Sequence, residues 1–507
     1  MTASDVRHLL LLAVVAFAML VFGWVGFVGS QDAAYADAAQ RWLEGGSGLA
    51  PSHWEMRYLY VGAIGVAFAL FGATETALLL PGVIAYLILV GLTYLALRVL
   101  VDRHVALLAG VFVAALPLFA AGASVATPDT MELVFVAASL LLLADSENRG
   151  RTRGWFVAVG VLAGFAWLVR ETSAGLIVFF LLLLFAGDHT RRARVGWVLL
   201  GFVIVAGAEF VNYFAATGDA LYRLRADFGA GDLLGRGGVA EASADRVSAL
   251  VVGSWLDPVL ALFAGQEFSA LYWLAMPVGL WLVFDRRLAA QSRRLVRYLA
   301  AAGLIQLLLV VALTGQRYLL PRYLYWGAFA ATLLLAIGVV TLWRRGSRGL
   351  AFAIAAAYLA GCAAGVYVDN REYFFGERAV VGLAADSDEP LYTDPETFHR
   401  IEFLLEAAGV AARVRTEPPP PGARFAYLRR NVDRGVAAGV RFDSAQYRPQ
   451  TAWEELARFD PGRKWIGQMI ATLGLRDALP SVVYRRLNRP TRPMIVYRVV
   501  VEPLTGA

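Results

Sequence analysis

Ser30-Gln31-Asp32-Ala33-Ala34-Tyr35-Ala36-Asp37-Ala38-Ala39-Gln40-Arg41-Trp42-Leu43-Glu44-Gly45-Gly46 follows directly on an uncharged stretch, His8 to Ser30. That stretch is long enough to cross a bilayer, whose hydrocarbon core needs about 20 apolar residues. Asp32 therefore sits at a membrane mouth, with a short amphipathic helix and a Gly-Gly stop behind it. A carboxylate fixed there can act on chemistry that a lipid-borne substrate brings to the surface. Asp32 also suits the cap of the helix beginning near Ala33, where its oxygens would meet the first amides. The two roles are compatible, because a cap fixes the direction of the carboxylate. Ala34-Tyr35-Ala36 matches a small-residue cleavage pattern, but the apolar core before it exceeds a usual signal-peptide core and favours an uncleaved anchor.

The rest of the chain repeats the pattern. Of its 507 residues 59% are hydrophobic and 17% charged, a composition that no single soluble domain shows and that indicates a polytopic α-helical membrane protein. Candidate spans lie near 8–30, 76–98, 104–122, 129–145, 154–169, 172–187, 195–217, 266–284, 298–314, 319–343 and 348–368, about eleven in all. Lys464 is the only lysine among 46 basic residues. Arg7, Arg98, Arg103, Arg149, Arg151, Arg153, Arg191, Arg192, Arg194, Arg286, Arg287, Arg293, Arg294, Arg297, Arg344, Arg345 and Arg348 all fall in alternate short loops. Short basic loops stay cytoplasmic. The N-terminus is thus expected inside, with residues 31–75, 218–265 and 369–507 outside a cell inner (plasma) membrane. The net charge of +6 then belongs to these loops and is no nucleic-acid signature. Tyr58 to Gly72 is apolar but short, and counting it as a span would turn the later basic loops outward, so it is expected to lie at the interface. Arg170-Glu171 separates two short spans, a break tolerated where helices line a cavity. The single Cys362 permits no intrachain disulfide.

Residues 1–368 are therefore expected to form the membrane domain, with an outer loop at 31–75. Residues 369–507 read as a small extracytoplasmic α/β domain. Pro390 to Asp394 reads as a strand and Pro395 to Gly409 as a helix with Asp394 at its N-cap. Ala412 to Thr416 and Arg424 to Leu428 read as further strands. No nucleotide loop, metal cluster or nucleophile elbow appears in this tail. No internal repeat of the kind that builds two-halved transporters is evident.

Several residues could carry chemistry on the expected outer face. Asp129 opens the fourth span, either as a cap or as a second acid facing a cavity; an ionisable group at such an entry faces protein or water. His53-Trp54-Glu55-Met56-Arg57-Tyr58 groups a base, an acid, a cation and aromatics at headgroup level, as an interfacial belt would. There Glu55 or His53 could contact a sugar or acceptor, and Arg57 a phosphate. Arg170-Glu171 reads either as a membrane-edge ion pair or as part of a cavity wall. Gln316-Arg317-Tyr318-Leu319-Leu320-Pro321-Arg322-Tyr323 places two arginines against the inside-positive bias. A phosphate partner explains them, and headgroup anchoring is the competing account.

Taken in order, these pieces resemble the C-type glycosyltransferase superfamily, in the branch of protein O-mannosyltransferases and the lipid A aminoarabinose transferase. The resemblance covers roughly residues 8–345. It rests on Gln31-Asp32-x-x-Tyr35 with its helix, Tyr58 to Phe71-Gly72, Asp129, Leu168-Val169-Arg170-Glu171 and Arg317-Tyr318-Leu319-Leu320-Pro321. It implies sugar transfer, hexosyl or pentosyl, from a polyprenyl-phosphate donor to a lipid, glycan or protein acceptor, with inversion. It carries the acid role to Asp32 and a supporting one to Asp129. The donor-phosphate role goes to Arg317, Arg322 and Arg57, and substrate contact to Tyr35, His53, Glu171 and Tyr318. The sequence departs from the family in having Gln31 where a first of two adjacent acids is common. His53-Trp54-Glu55-Met56-Arg57 also replaces a Pro-Pro segment. The first departure leaves the base between Asp32 and Glu55, and the second leaves the acceptor class open. No metal ligand set is assigned, although some members of the superfamily use a divalent ion. A transporter or flippase for lipid-linked material, and a non-catalytic envelope-assembly protein of the same fold, are the rival readings.

Overall fold

The computed structural model describes residues 2–46, 54–226, 250–251, 259, 262–263, 265–313, 318–319, 321–369, 374–437, 440–460, 469–470, 472–475, 478 and 493–500. The chain divides into two compact units. The first comprises Met1–Trp24, Ala38–Ala67 and Leu79–Asn370, and the second Val25–Asp37, Phe68–Leu78 and Arg371–Ala507.

Each expected span contains a helix among the described residues, though not always over its whole length. Six are individually long and apolar enough to cross a membrane: Ala3–Phe22, Glu75–Leu100, His189–Thr217, Ala290–Ala312, Pro321–Arg344 and Arg348–Val366. Arg103–Ala115 and Pro117–Ala123, bent by 60° at Leu116, make a seventh if taken together. By length and apolarity alone the count is thus six or seven, against the eleven read from hydropathy. Arg153–Val169, Glu171–Ala186 and Leu271–Phe284 are shorter, and Asp129–Asn148 carries four acids. The chain is a multi-pass membrane protein. Tyr58–Phe71, at 14 residues, would rise only about 21 Å, too little to span alone.

The first span ends earlier than expected. Its helix runs Ala3–Phe22, and the Gly23 N–H closes on the Met19 carbonyl. Gly26 and Gly29 then adopt positive φ, which ends helical propagation before Ser30.

The bend at Leu116 shows how irregular backbone is accommodated within the first unit. Pro117 cannot donate an N–H. Buried tyrosine hydroxyls supply the missing donors. Tyr86 donates to the Ala114 carbonyl (2.7 Å), Tyr358 to Phe112 (2.8 Å) and Tyr325 to Leu118 (2.8 Å). Helices Arg153–Val169 and His189–Thr217 pack backbone to backbone. A Cβ on Gly160 would overlap the Val198 carbonyl, and one on Gly201 the Val157 carbonyl. Small residues at such crossings permit close van der Waals contact where lipid gives no hydrophobic drive.

The second unit is built on a mixed five-stranded sheet. Its order is Val414–Arg415, Leu391–Tyr392, Arg424–Tyr427, Met494–Arg498, Glu454–Phe459. The first three strands are parallel, and the last two pair antiparallel with a bulge between Glu455 and Ala457. Helix Pro395–Ala407 connects Leu391–Tyr392 to Val414–Arg415 as a βαβ unit, with Asp394 at its N-cap accepting from the Thr397 N–H. The sheet buries Leu391, Val414, Phe425 and Val496. The strands and helix read between 390 and 428 are present. Glu454–Phe459 and Met494–Arg498 were not read from the sequence; the former is largely charged and exposed and lacks a clean alternating pattern.

Candidate functional site: a buried arginine–carboxylate cluster

Helix Arg153–Val169 stops where Arg170 turns extended (φ −159°, ψ 141°), and Glu171–Ala174 forms a 3₁₀ turn before the next helix. The break turns Arg170 and Glu171 into the protein. Arg170 is 4% exposed and forms an ion pair with Asp129, 1% exposed, in the first turn of Asp129–Asn148. Its guanidinium lies 5.1 Å over the Tyr323 ring, and that of Arg322 lies 5.9 Å from the same ring. Glu132, one turn beyond Asp129, accepts from both the Thr172 and Ser173 hydroxyls at 2.6 Å. Two hydroxyls from the broken turn thus satisfy an acid inside an apolar helix.

Glu171 is shared by two cations. Arg57 Nη2 lies 3.4 Å from its Oε2, and Arg223 Nε donates to its Oε1 at 2.9 Å. Arg223 also donates to Glu209 Oε1 (2.5 Å), whose other oxygen accepts from Trp167 Nε1 (2.5 Å). Burial disfavours the Arg223 charge, but the carboxylates of Glu171 and Glu209 hold its pKa above the ordinary arginine value. Arg57 stacks at 5.0 Å over Trp54. Arg57 and Arg322 both lie within electrostatic reach of Arg170. The cluster therefore assembles Arg57, Arg170, Arg223 and Arg322 against Asp129, Glu132, Glu171 and Glu209. Burying Arg57, Arg170 and Arg223, with Arg322 partly buried beside them, is tolerable because each interacts with a carboxylate or an aromatic face. Every member sits at or near the helix ends expected to face outward.

The predicted residues divide between the two units. Asp129, Glu171, Arg57 and Arg322 come together in the first. Glu55, also there, pairs with Arg41 at 2.5 Å. Asp32 and Tyr35 belong to the second unit, and both are fully buried. Asp32 lies inside helix Gln31–Leu43, one residue past its start. Its carboxylate folds back on the preceding turn, accepting from the N–H groups of Val28 (2.5 Å), Ser30 (2.6 Å) and Ala33 (3.2 Å). Burial pushes its pKa up, while those amides and the charge of Arg400 act in the opposite direction. Tyr318 pairs through its backbone with Val251 in a two-residue antiparallel ladder. His53 and Arg317 lie outside the described residues.

Sequence reading missed Arg223, Glu209 and Trp167, and left Arg170 undecided. Glu209 carried a usable signal, as a lone carboxylate within an apolar span. Arg223 carried the signal used for Arg322, a cation on the arginine-poor side. Among the described residues no three His, Cys, Asp or Glu side chains converge as a metal site would require. Asp129 is engaged by Arg170, and Glu132 by two hydroxyls.

The comparisons agree with this architecture. Residues 60–211 match the family model for dolichyl-phosphate-mannose-protein mannosyltransferase. That stretch contains Asp129, Glu132, Trp167, Arg170, Glu171 and Glu209. No curated protein sequence matches the chain. Among solved structures, ArnT from Cupriavidus metallidurans in the apo state superposes with a TM-score of 0.59 at 13% identity, covering 98% of this chain and 99% of that one. The same protein bound to undecaprenyl phosphate gives 0.56 at 14% identity, with coverage of 98% and 99%. The archaeal oligosaccharyltransferase AglB from Archaeoglobus fulgidus, in complex with an inhibitory peptide and a dolichol-phosphate, gives 0.51 at 12% identity, covering 82% of this chain and 64% of that one. The resemblance read from the sequence is borne out as a likeness of fold: the chain is a polytopic α-helical membrane protein of the C-type glycosyltransferase fold, with a small α/β unit.

Proposed function

We propose that this protein transfers a sugar from a polyprenyl-phosphate donor to an extracytoplasmic acceptor, inverting the anomeric centre. The observation that carries the reading is the cluster of buried Arg57, Arg170 and Arg223 with partly buried Arg322 at one set of helix ends. Its location within the matched stretch, or packed against it, supports the assignment. So does the binding of undecaprenyl phosphate by ArnT and of dolichol-phosphate by AglB, whose fold this chain shares.

The chemistry needs a base, a cationic partner for the leaving phosphate and an apolar route for the lipid. An acceptor hydroxyl loses its proton to a carboxylate, and its oxygen bonds to the anomeric carbon. The bond from that carbon to the phosphate oxygen breaks, and its electron pair leaves on polyprenyl phosphate. Arg57 and Arg322, with Arg317, meet the phosphate, and their charge favours the state in which negative charge develops. Asp129 holds Arg170 in place beside them. In this reading the guanidinium groups supply positive charge for the leaving phosphate. Asp32 is the base in this reading and Glu55 the alternative. The raised pKa of Asp32 suits proton abstraction, since a more basic carboxylate accepts a proton more readily. In this reading the N-terminus is cytoplasmic and residues 369–507 lie outside a cell inner (plasma) membrane, the orientation that short arginine-rich loops favour.

A transfer assay tests the proposal. Reconstituted protein receives radiolabelled polyprenyl-phosphate hexoses and pentoses with lipid, glycan and protein fractions of a cell envelope. Asp32→Asn and Arg57→Ala are run in parallel. Label moving in the wild type, with transfer abolished in Asp32→Asn and donor KM raised in Arg57→Ala, is the expected result. Transfer retained in Asp32→Asn moves the base to Glu55. No transfer from any donor by folded protein overturns the enzymatic reading, and donor crossing the bilayer unaltered would establish a flippase.

A further inference from the structure

The turn that carries Asp32 is built by helices from the far end of the sequence. Val28 is the junction. Its N–H donates to Asp32 Oδ2 at 2.5 Å, and its carbonyl accepts from Arg400 Nη2 at 2.7 Å. Gly29, at φ +57°, lies so close to helix Pro395–Ala407 that a Cβ would overlap both the Arg400 carbonyl and the Phe374 ring. Phe27 packs against Phe374 (5.6 Å) and Phe403 (5.5 Å). Its N–H donates to Glu75 (2.9 Å) and its carbonyl accepts from Arg378 (3.5 Å), which is itself paired with Glu75 at 2.5 Å. All these residues belong to the second unit.

Arg400 is 8% exposed. Besides Val28 it faces Glu377 (3.3 Å) and Glu396 (3.7 Å), and it lies 5.4 Å over Phe374. Glu396 is also bound by Arg434, and Glu377 accepts from Asn431 at 3.2 Å. Both acidic neighbours are thus partly engaged elsewhere, and Arg400 keeps one arm for the loop.

We propose that Arg400 is a positioning residue for sugar transfer: it fixes the Val28–Ser30 turn that aims the Asp32 carboxylate, and it places a positive charge beside that carboxylate. The inference rests on the glycosyltransferase reading with Asp32 as base. It gives the second unit a task, which is to shape the loop at the membrane mouth. The charge of Arg400 opposes the effect of burial on Asp32, so removing it should make the carboxylate harder to ionise.

The test compares wild type, Arg400→Met, Arg400→Lys and Glu377→Gln by full pH–rate profiles in the transfer assay. Glu377→Gln alters a partner of Arg400 while keeping the Arg400 side chain, and serves as the packing control. Arg400→Met should lower kcat by about tenfold or more, the scale on which misaimed catalytic groups lose rate. It should leave donor KM unchanged and move the acid limb of the profile upward. Arg400→Lys should restore the limb, because it keeps the charge, and only part of kcat, because it loses the fork. A wild-type profile and kcat in Arg400→Met would overturn the proposal. If Arg400→Met does not fold, an Arg400→Lys enzyme with unchanged kcat would do the same. If the wild type transfers no sugar, the glycosyltransferase reading fails. Hydrogen exchange then tests positioning alone, and unchanged protection of the Val28 and Ser30 amides in Arg400→Met refutes it.

Discussion

Arg223 is the most stringent point at which to test the cluster. Its side chain is 2% exposed and is held between Glu171 and Glu209. A unit pair about 4 Å apart at an effective dielectric of about 20 attracts by about 4 kcal/mol. Two carboxylates make the gross attraction about 8 kcal/mol by the same relation, and the desolvation of three ions offsets much of it. Replacing Arg223 by methionine fills much of the volume but leaves buried Glu209 without this cation and Glu171 with Arg57. Removing one partner of a buried pair costs about 3–5 kcal/mol, and that is the expected loss in equilibrium unfolding from mixed micelles. Adding Glu209→Gln should return part of it. The new amide oxygen can still accept from Trp167, and the uncompensated charge is gone; a coupling of about 1–3 kcal/mol is expected for residues in one network. The Arg223→Met variant should also raise donor KM, because Glu171, freed from Arg223, would close on Arg57. A loss below about 1 kcal/mol, or a second substitution that adds to the damage, would refute the view that this is a desolvated, mutually dependent network.

Three further outcomes are expected. Asp394 is raised from 3.8 to about 6 by burial, worth roughly 3 kcal/mol. Because its folded pKa is the higher one, its contribution is fully present below pH ~4 and is lost as pH rises to ~6; Asp394→Asn, which still caps the helix, should flatten that slope in hydrogen exchange across 395–407. Gly160→Ala should destabilise the first unit by about 1–3 kcal/mol, read as a lower unfolding midpoint, since the Val198 carbonyl occupies the space its Cβ requires. Gly29→Ala should slow transfer and expose the Val28 and Ser30 amides to exchange, because positive φ and two overlaps act together.

Much of the fold could be read from local sequence. A span of apolar residues forms a helix wherever its environment lacks water to bond the backbone. The arginine alternation orders those helices without knowledge of their neighbours. The βαβ segment from Leu391 to Tyr427 was equally readable, because Asp394-Pro395 marks a helix start by its own chemistry. Within the site, the sequence marked Asp129, the Arg170-Glu171 break, Arg57 and Arg322 individually, each as a charge in an unusual place. It did not pair them. Asp129 meets Arg170 across 41 positions and Arg223 reaches Glu171 across 52, and no local propensity encodes such distances. Asp32 shows the division most clearly. Local sequence places a carboxylate just after the first span, among neighbours that can turn. Packing of distant segments was needed to show that Val28, Ser30 and Ala33 bind it and that Arg400, from the far end of the chain, anchors the turn. The physical reason is that burial creates the demand for partners, and burial is a property of the packed chain rather than of any segment.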